Sequence, residues 1–153
     1  MIKRGGTLIQ RFRVPLGFLF AAIFLCFARP QFWILIGGGS LAFLGILIRA
    51  WASGHIRKNR ELAMSGPYAY TRNPLYFGSF ILGIGFTIAA GIWWLAIIFI
   101  ALFAGIYLPV MRVESTTLAE MFGEEYKQYA AAVPLIFPRP TPYRAGEGSA
   151  VRF

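Results

Sequence analysis

The residues best suited to chemistry lie in one short segment, residues 66–78, which reads GPYAYTRNPLYFG. Pro74 is suited to open a helix, because a missing N–H costs nothing in the first turn, and Asn73 before it is suited to cap that helix. The N–H groups at such a helix start can hold an anion, and Arg72 adds a fixed positive charge beside them. Three tyrosines of the segment surround this charge. The alternative interpretation is an interfacial aromatic belt with an arginine that only sets membrane orientation.

A second candidate group lies downstream of Arg112, where the sequence has a helical period. Its apolar side chains recur every three or four residues at Leu118, Phe122, Tyr126, Tyr129 and Val133. Glu114 precedes this stripe by one helical turn and falls on the same apolar side. A carboxylate in that position needs a cation or a hydrogen-bond donor, which makes Glu114 a candidate ligand-binding residue. The alternative is that Glu114 caps a helix or reaches the membrane surface.

The composition excludes several other chemistries. The chain has one cysteine, one histidine and six acidic residues, all of them glutamate. A disulfide framework and a Cys/His zinc cluster are therefore excluded, and no metal is predicted. A Ser-His-Asp triad lacks its aspartate, and a version with glutamate would depend on His55 alone. If the protein is an enzyme, its reactive chemistry is expected to arrive on a cofactor.

The elements that position these residues follow from three stretches without charge. They contain 15 residues between Arg13 and Arg29, 19 between Arg29 and Arg49, and 39 between Arg72 and Arg112. A helix needs about 20 apolar residues to cross a bilayer, so the longest stretch fits two spans with a turn at the small residues 89–91. The predicted fold is all-α integral membrane, a single domain over residues 1–153, with four transmembrane helices at about 14–28, 31–52, 74–89 and 92–111. A cytoplasmic amphipathic helix at about 112–132 and an extended, proline-rich C-terminal tail complete it.

Glycines in the second span and the third predict close packing between helices. They are Gly37, Gly38, Gly39 and Gly45 in the second span, and the pair Gly83 and Gly85 in the third. A backbone that approaches a cofactor is the alternative interpretation of the same pattern.

Lysine and arginine fall on one side of the predicted spans, with Arg49 near that side and only Arg29 opposite. They lie before the first span, between the second and third, and after the fourth, and include Lys3, Arg4, Arg57, Lys58, Arg60 and Arg152. The positive-inside rule therefore predicts cytoplasmic termini in an inner or plasma membrane. The net charge of +9 is then explained by topology and anionic head groups, and nucleic acid is not expected as a partner. A cleaved signal peptide is the alternative for the first stretch, but no small-residue cleavage site precedes Arg29.

The segment GPYAYTRNPLYFG resembles the GPYxxxRHPxYxG signature of the isoprenylcysteine carboxyl methyltransferase family, to which phospholipid N-methyltransferases are similar. The run RVESTTLAEMFGEEYKQYAAAVPLIFPRP resembles that family's second signature, an acidic residue followed by F-G-x-x-Y-x-x-Y and V-P. The resemblance covers about residues 53–142. The chain has Asn73 where the family usually has histidine, so that side chain cannot act as an acid or base near pH 7. Glu114 is followed by Ser115 where relatives often have paired acids.

The resemblance implies a membrane enzyme that binds S-adenosylmethionine at the cytoplasmic side and methylates a lipid-like acceptor from the bilayer. A carboxylate acceptor is favoured, with amine and thiol left open, and the partners are the bilayer and a lipophilic or lipid-modified substrate. Arg72 and Glu114 are the implied catalytic residues, with Arg72 orienting the substrate. The implied cofactor-binding residues are Tyr68, Arg72, Asn73, Pro74, Tyr76, Gly78, Glu114, Tyr126 and Tyr129.

Two other classes of protein share parts of this pattern. NADPH-dependent membrane sterol reductases have a similar R-H-x-x-Y-x-G-like element, but an acidic residue commonly follows its glycine, and here Ser79 follows Gly78. A non-enzymatic helical scaffold or channel subunit would suit the uncharged, glycine-rich spans. It would leave residues 66–78 and Glu114 without an explanation.

Overall fold

The computed structural model describes residues 8–56 and 61–145, and these ranges are all-helical. The helices are α1 (Leu8–Phe27), α2 (Phe32–Ser53), α3 (Pro74–Ala89), α4 (Trp93–Phe122) and α5 (Glu124–Ala132). A short 3-10 turn, Gly66–Ala69, precedes α3. Lys3, Arg4, Arg57, Lys58, Arg60 and Arg152, on which the predicted orientation partly depends, lie outside the described residues. The expected all-α class is confirmed for the part of the chain that the structure describes.

Two helices, α2 and α4, are long and apolar enough to cross a membrane. The third apolar helix, α3, has 16 residues. Many large apolar side chains point outward, including Phe18, Trp33 and Phe43. A soluble protein rarely exposes so much contiguous apolar surface, so these helices indicate association with a membrane.

Glycines bring α2 and α3 into close contact. A Cβ atom on Gly45 would lie 2.5 Å from the backbone nitrogen of Leu82, and one on Gly38 would also meet the α3 backbone. Gly37 and Gly39, by contrast, face open space. The predicted packing role is therefore confirmed for Gly38 and Gly45, which lie on one face of α2 two turns apart.

The turn between α3 and α4 falls at residues 89–91, as predicted. Gly91 has a φ of 73°, a left-handed conformation that favours glycine. The backbone N–H of Arg29 donates to the carbonyl of Ala90 at 2.8 Å. The turn is thus tied to the connection between α1 and α2, and it holds the two helical hairpins together at this end.

The predicted boundary between a fourth span and a separate amphipathic helix at residues 111 and 112 is wrong. One helix of 30 residues runs through both, with Pro109 inside it. At about 1.5 Å per residue it is roughly 45 Å long, which exceeds the hydrocarbon core of about 30 Å. The helix α1 likewise begins at Leu8, six residues before the predicted membrane span. The reason is the same in both places: a charged residue marks where the bilayer ends, but it does not end a helix.

The break in the helix occurs instead at Gly123, whose φ is 56°. It redirects the chain so that α5 packs against the Gly66–Ala69 turn. The core at this end contains the buried side chains of Ala69, Tyr126, Tyr129, Val133 and Tyr143, with other residues of the predicted stripe packed beside them. The predicted apolar stripe is confirmed, and it fastens α5 to the segment that begins α3.

Candidate functional site

A cavity of about 430 Å³ lies where the end of α2, the start of α3, the second half of α4 and α5 meet. Seven of the nine residues implied by the sequence line it: Tyr68, Arg72, Asn73, Tyr76, Glu114, Tyr126 and Tyr129. The other two, Pro74 and Gly78, are buried in α3 outside the lining. Residues from positions 49 to 129 therefore meet around one cavity.

Gly78 faces α2. A Cβ atom at this position would lie 2.7 Å from the Cγ atom of Arg49 and 2.9 Å from the carbonyl oxygen of Gly45. The glycine of the signature thus makes room for the neighbouring helix and for the stem of Arg49. Pro74 opens α3 at its first position, as the sequence predicts.

Arg72 has an incomplete set of hydrogen bonds. Its Nη1 donates to the hydroxyl of Tyr126 at 3.3 Å. Its Nε is buried and has no hydrogen-bond partner among the described residues. A buried donor without an acceptor costs about 1–3 kcal/mol, so native structures rarely keep one without a reason. A ligand acceptor in the cavity would remove that cost.

The C-terminal segment, residues 133–143, holds the loop that carries Arg72. Thr71 donates its hydroxyl to the carbonyl of Ile136 at 2.9 Å. The N–H of Tyr143 donates to the carbonyl of Ala69 at 2.8 Å. This segment, which we call the strap, fixes the loop from outside while the cavity lies on its other side.

Asn73 is attached to the strap as well. It occupies the N-cap position of α3, but its side chain makes no capping hydrogen bond. Its Nδ2 donates instead to the carbonyl of Leu135 at 2.9 Å. The predicted side-chain cap is therefore wrong. The strap offers a carbonyl oxygen as acceptor, and the amide nitrogen of Asn73 donates to it instead of the side chain capping α3.

Two tyrosines of the site, Tyr68 and Tyr129, have raised pKa values. Burial, and secondly the Glu114 carboxylate, raise the pKa of Tyr68 to about 12. Burial is also the main reason why the pKa of Tyr129 is raised. The hydroxyl of Tyr129 donates to the carbonyl of Tyr68 at 2.7 Å, so it is committed to the loop. Both phenols are hydrogen-bond donors near pH 7, and neither serves as a base.

Sequence reasoning missed two charged side chains that line the cavity, Arg49 and Glu61. Arg49 was assigned only to orientation. Arg49 lines the cavity from α2. Its Nη1 donates to the hydroxyl of Ser79 and, at 3.4 Å, to the carbonyl of Leu75. The signal was present, because Arg49 follows Gly45 by four residues and so shares the face of α2 that packs on α3.

The phospholipid methyltransferase family matches residues 33–125, more than half of the chain. The chain belongs to this family. The matched region contains α2, α3, α4 and the whole of residues 66–78.

Three curated relatives are similar to the chain. The cobalt-zinc-cadmium resistance protein CzcN of Cupriavidus metallidurans is 40% identical over 111 residues, which cover 70% of this chain and 49% of CzcN. The nickel-cobalt-cadmium resistance protein NccN of Alcaligenes xylosoxydans xylosoxydans is 33% identical over 119 residues, with coverage of 74% and 55%. The protein-S-isoprenylcysteine O-methyltransferase of Schizosaccharomyces pombe is 27% identical over 141 residues, with coverage of 89% and 59%.

The chain thus spans between 49% and 59% of the length of these relatives. No solved structure matches it significantly. The family and the relative from Schizosaccharomyces pombe are both described as methyltransferases. The resemblance drawn from the two sequence signatures is confirmed.

Proposed function

We propose that this protein is an integral-membrane methyltransferase that transfers a methyl group from S-adenosylmethionine to a lipid-like acceptor, most favourably a carboxylate. The observation that carries the proposal is the buried, unpartnered Nε of Arg72 beside a cavity that Glu114 also lines. The chain's membership of a methyltransferase family supplies the reaction class.

The residues of the cavity fit this cofactor. Its volume of about 430 Å³ lies within the range of roughly 300–1,000 Å³ that small-molecule sites occupy. Arg72 offers a donor for a carboxylate, and Glu114 an acceptor for an ammonium or a ribose hydroxyl. Tyr68, Tyr76 and Tyr126 offer aromatic surface for a nucleobase. When bound, S-adenosylmethionine supplies a methyl group that its sulfonium charge already activates.

The protein itself must then align the acceptor with the cofactor and exclude water from the reacting atoms. Arg72 orients the acceptor and cofactor, since a cation fixed by Tyr126 and the strap loses little freedom when it binds. The phenols and apolar side chains of the cavity keep water from the reacting atoms. A carboxylate acceptor needs no general base, which agrees with an Asn73 that is bonded to Leu135. An amine acceptor would have to bind in its neutral form.

In the membrane, we place four helices, α1 to α4, across the bilayer with the cavity at the cytoplasmic surface and both termini on that side of an inner or plasma membrane. Support comes from the charges at the end of the molecule where the cavity lies. That end carries Arg11 and Arg13 of α1, Arg72 before α3, and Arg112 of α4. The opposite end carries Arg29 and the interfacial residues Trp93 and Trp94. The acceptor reaches the cavity from the bilayer.

The test uses the purified full chain in detergent. Calorimetry measures binding of S-adenosylhomocysteine, the demethylated product, and a radiolabelled methyl group reports transfer to lipid extracts. Arg72→Lys keeps the charge but loses the planar fork, and Glu114→Gln keeps the size but loses the charge. Each variant is expected to reduce methyl transfer tenfold or more, which corresponds to about 1.4 kcal/mol of lost transition-state binding. Arg112→Lys, at an exposed arginine outside the cavity lining, is the matched control.

Two results would contradict the proposal. One is methyl transfer at the wild-type rate by both Arg72→Lys and Glu114→Gln, which would leave Arg72 only a role in membrane orientation. The other is binding of NADPH without measurable affinity for S-adenosylmethionine or S-adenosylhomocysteine, which would favour the reductase.

A further inference from the structure

Arg49 lies at the membrane side of the cavity. Its two acceptors, Leu75 and Ser79, are in the first two turns of α3, so its guanidinium lies deeper along that helix than Arg72 does. Both hydrogen bonds use Nη1 alone. No carboxylate among the described residues forms an ion pair with it. The Nε and Nη2 groups of Arg49 therefore remain as donors on an exposed side chain at the cavity wall.

A guanidinium in this position is expensive. Arg49 belongs to α2, one of the helices apolar enough to cross a membrane, and a cation there is tolerated when it reaches the surface or meets an anion. Reaching the surface is restricted, since Nη1 is bonded to Ser79 and the stem crosses α3 at Gly78. An anion that arrives from the bilayer side would complete the set of partners.

The net charge of the cavity with S-adenosylmethionine bound would favour such an anion. Two arginines and two glutamates line the cavity, Arg49, Arg72, Glu61 and Glu114, so these residues contribute no net charge. S-adenosylmethionine would add one positive charge, because its sulfonium and ammonium outweigh its carboxylate. An acceptor with one negative charge would restore neutrality, and uncompensated charge is costly in a site of low dielectric.

A row of aromatic side chains runs from the middle of the helices to the cavity that Arg49 lines. Aromatic rings of α1, α3 and α4 contact one another in a continuous row, with centroids 4.7–6.1 Å apart, that ends at the cavity: Phe20, Phe99, Phe80, Phe103, Tyr107 and Tyr76. Tyr76 and Tyr107 line the cavity together with Arg49 and Ser79. An apolar chain that lies along this row would bring its polar end to Arg49.

We propose that Arg49 binds the anionic head group of the methyl acceptor and so determines which acceptors the protein accepts. The shared chemistry is one negative charge at the end of an apolar chain. Its source is either a carboxylate that itself receives the methyl group or a phosphodiester next to the receiving atom. This inference rests on the proposed function for the identity of the site, but its test does not depend on catalysis.

The experiment compares three probes with the same twelve-carbon chain: dodecanoate, dodecyl methyl phosphate and the neutral dodecanamide. Their binding to the full-length protein in detergent is measured by calorimetry, with and without saturating S-adenosylhomocysteine. The proteins are wild type, Arg49→Lys, Arg49→Gln and the control Arg112→Gln. We expect wild type and Arg112→Gln to bind one of the two anions at least tenfold more tightly than dodecanamide, which is about 1.4 kcal/mol.

Arg49→Gln should lose that preference, and Arg49→Lys should keep part of it. Affinity for S-adenosylhomocysteine should stay within threefold in all four proteins. The anion that wild type prefers distinguishes the carboxylate source from the phosphodiester source. If Arg49→Gln does not fold, Ser79→Ala removes the anchor of Arg49 and should weaken anion binding while dodecanamide binding is unchanged.

Equal binding of the three probes by wild type would overturn the inference, and so would an anion preference that survives in Arg49→Gln. A wild type without affinity for S-adenosylhomocysteine would instead count against the proposed function. The Arg49-dependent anion preference would still be measurable in that case, so the two failures are distinguishable.

Discussion

Removing the guanidinium of Arg72 together with the hydroxyl of Tyr126 should stabilise the ligand-free protein and abolish its response to S-adenosylhomocysteine. The double variant Arg72→Met/Tyr126→Phe replaces two hydrogen-bonded polar groups by apolar groups of similar shape. The backbone N–H of Arg72, which donates to Pro134 at 3.0 Å, is unchanged. The loop therefore keeps its attachment to the strap while the cavity loses a cation.

The magnitude follows from the hydrogen bonds. The Nε of Arg72 is buried without a partner, which costs about 1–3 kcal/mol, and this cost disappears in both variants. Arg72→Met alone leaves the buried hydroxyl of Tyr126 without its partner at 3.3 Å, which costs a similar amount. The single variant should thus stay within about 1 kcal/mol of wild type, and the double variant should gain roughly 1–3 kcal/mol. At about 2–4 °C per kcal/mol, the gain is readily measured.

The assay is thermal unfolding in detergent with and without S-adenosylhomocysteine. At a ligand concentration of 100 times the wild-type Kd, linkage stabilises wild type by about 2.7 kcal/mol. A hundredfold weaker site would gain only about 0.4 kcal/mol under the same conditions. Arg112→Met, an exposed arginine outside the cavity lining, should show the full wild-type response.

A loss of more than about 2 kcal/mol in the ligand-free double variant would refute the reasoning, because Arg72 would then be needed for folding. A normal ligand response in that variant would refute the assignment of Arg72 to the cofactor. The double variant is more informative than Arg72→Met, since it separates the cost of an orphaned hydroxyl from the role of the guanidinium.

Three further predictions concern packing, the strap and pH. Gly45→Ala should lower the unfolding free energy by about 1–3 kcal/mol, because its Cβ would meet the α3 backbone at 2.5 Å. Gly37→Ala, in open space, should be neutral or stabilise the protein by up to about 1 kcal/mol. Equal effects of the two variants in thermal unfolding would contradict this prediction. Asn73→Asp should weaken the attachment of the strap by about 1–3 kcal/mol, because a carboxylate cannot donate to the carbonyl of Leu135. Asn73→His, which still carries a ring N–H, should keep activity. The rate of proteolysis within residues 133–143 measures how firmly the strap is attached in each variant. Stability should be flat from pH 7 to about 10 and then fall, since the folded protein holds the pKa of Tyr68 near 12, above its ordinary value, so that the unfolded chain releases its proton first. Tyr68→Phe should reduce that alkaline loss in melts from pH 8 to 12, and an unchanged alkaline loss would show that Tyr68 is not its cause.

Local patterns predicted the parts of the site that local chemistry controls. The apolar period from Leu118 to Val133 predicted the buried face of α5, and the small residues 89–91 predicted the turn between α3 and α4. The two signatures identified seven of the residues that line the cavity, including Arg72 and Glu114. These features depend on neighbours within one or two helical turns, which a sequence displays directly.

The features that could not be predicted depend on distant partners. The side chain of Asn73 donates to Leu135, which lies 62 positions further along the chain, instead of capping α3. No local pattern in the sequence reveals that contact. Gly78 was assigned to a cofactor because the family signature includes it, yet its neighbour is Arg49 of α2. The continuity of α4 was missed because charge was taken as a sign of a helix boundary.

The strap also has a consequence for the order in which the protein is made. Thr71 and its acceptor Ile136 are separated by 65 positions, so the loop that carries Arg72 leaves the ribosome long before the residues that fasten it. In the topology proposed above, α3 and α4 would enter the membrane before any residue beyond α5 could hold Arg72. A nascent chain stopped before residue 133 would thus carry the binding residues without the geometry that unites them. We therefore expect the site to form late, after the strap is made, and a chain cut between α5 and the strap should regain binding when the missing peptide is supplied.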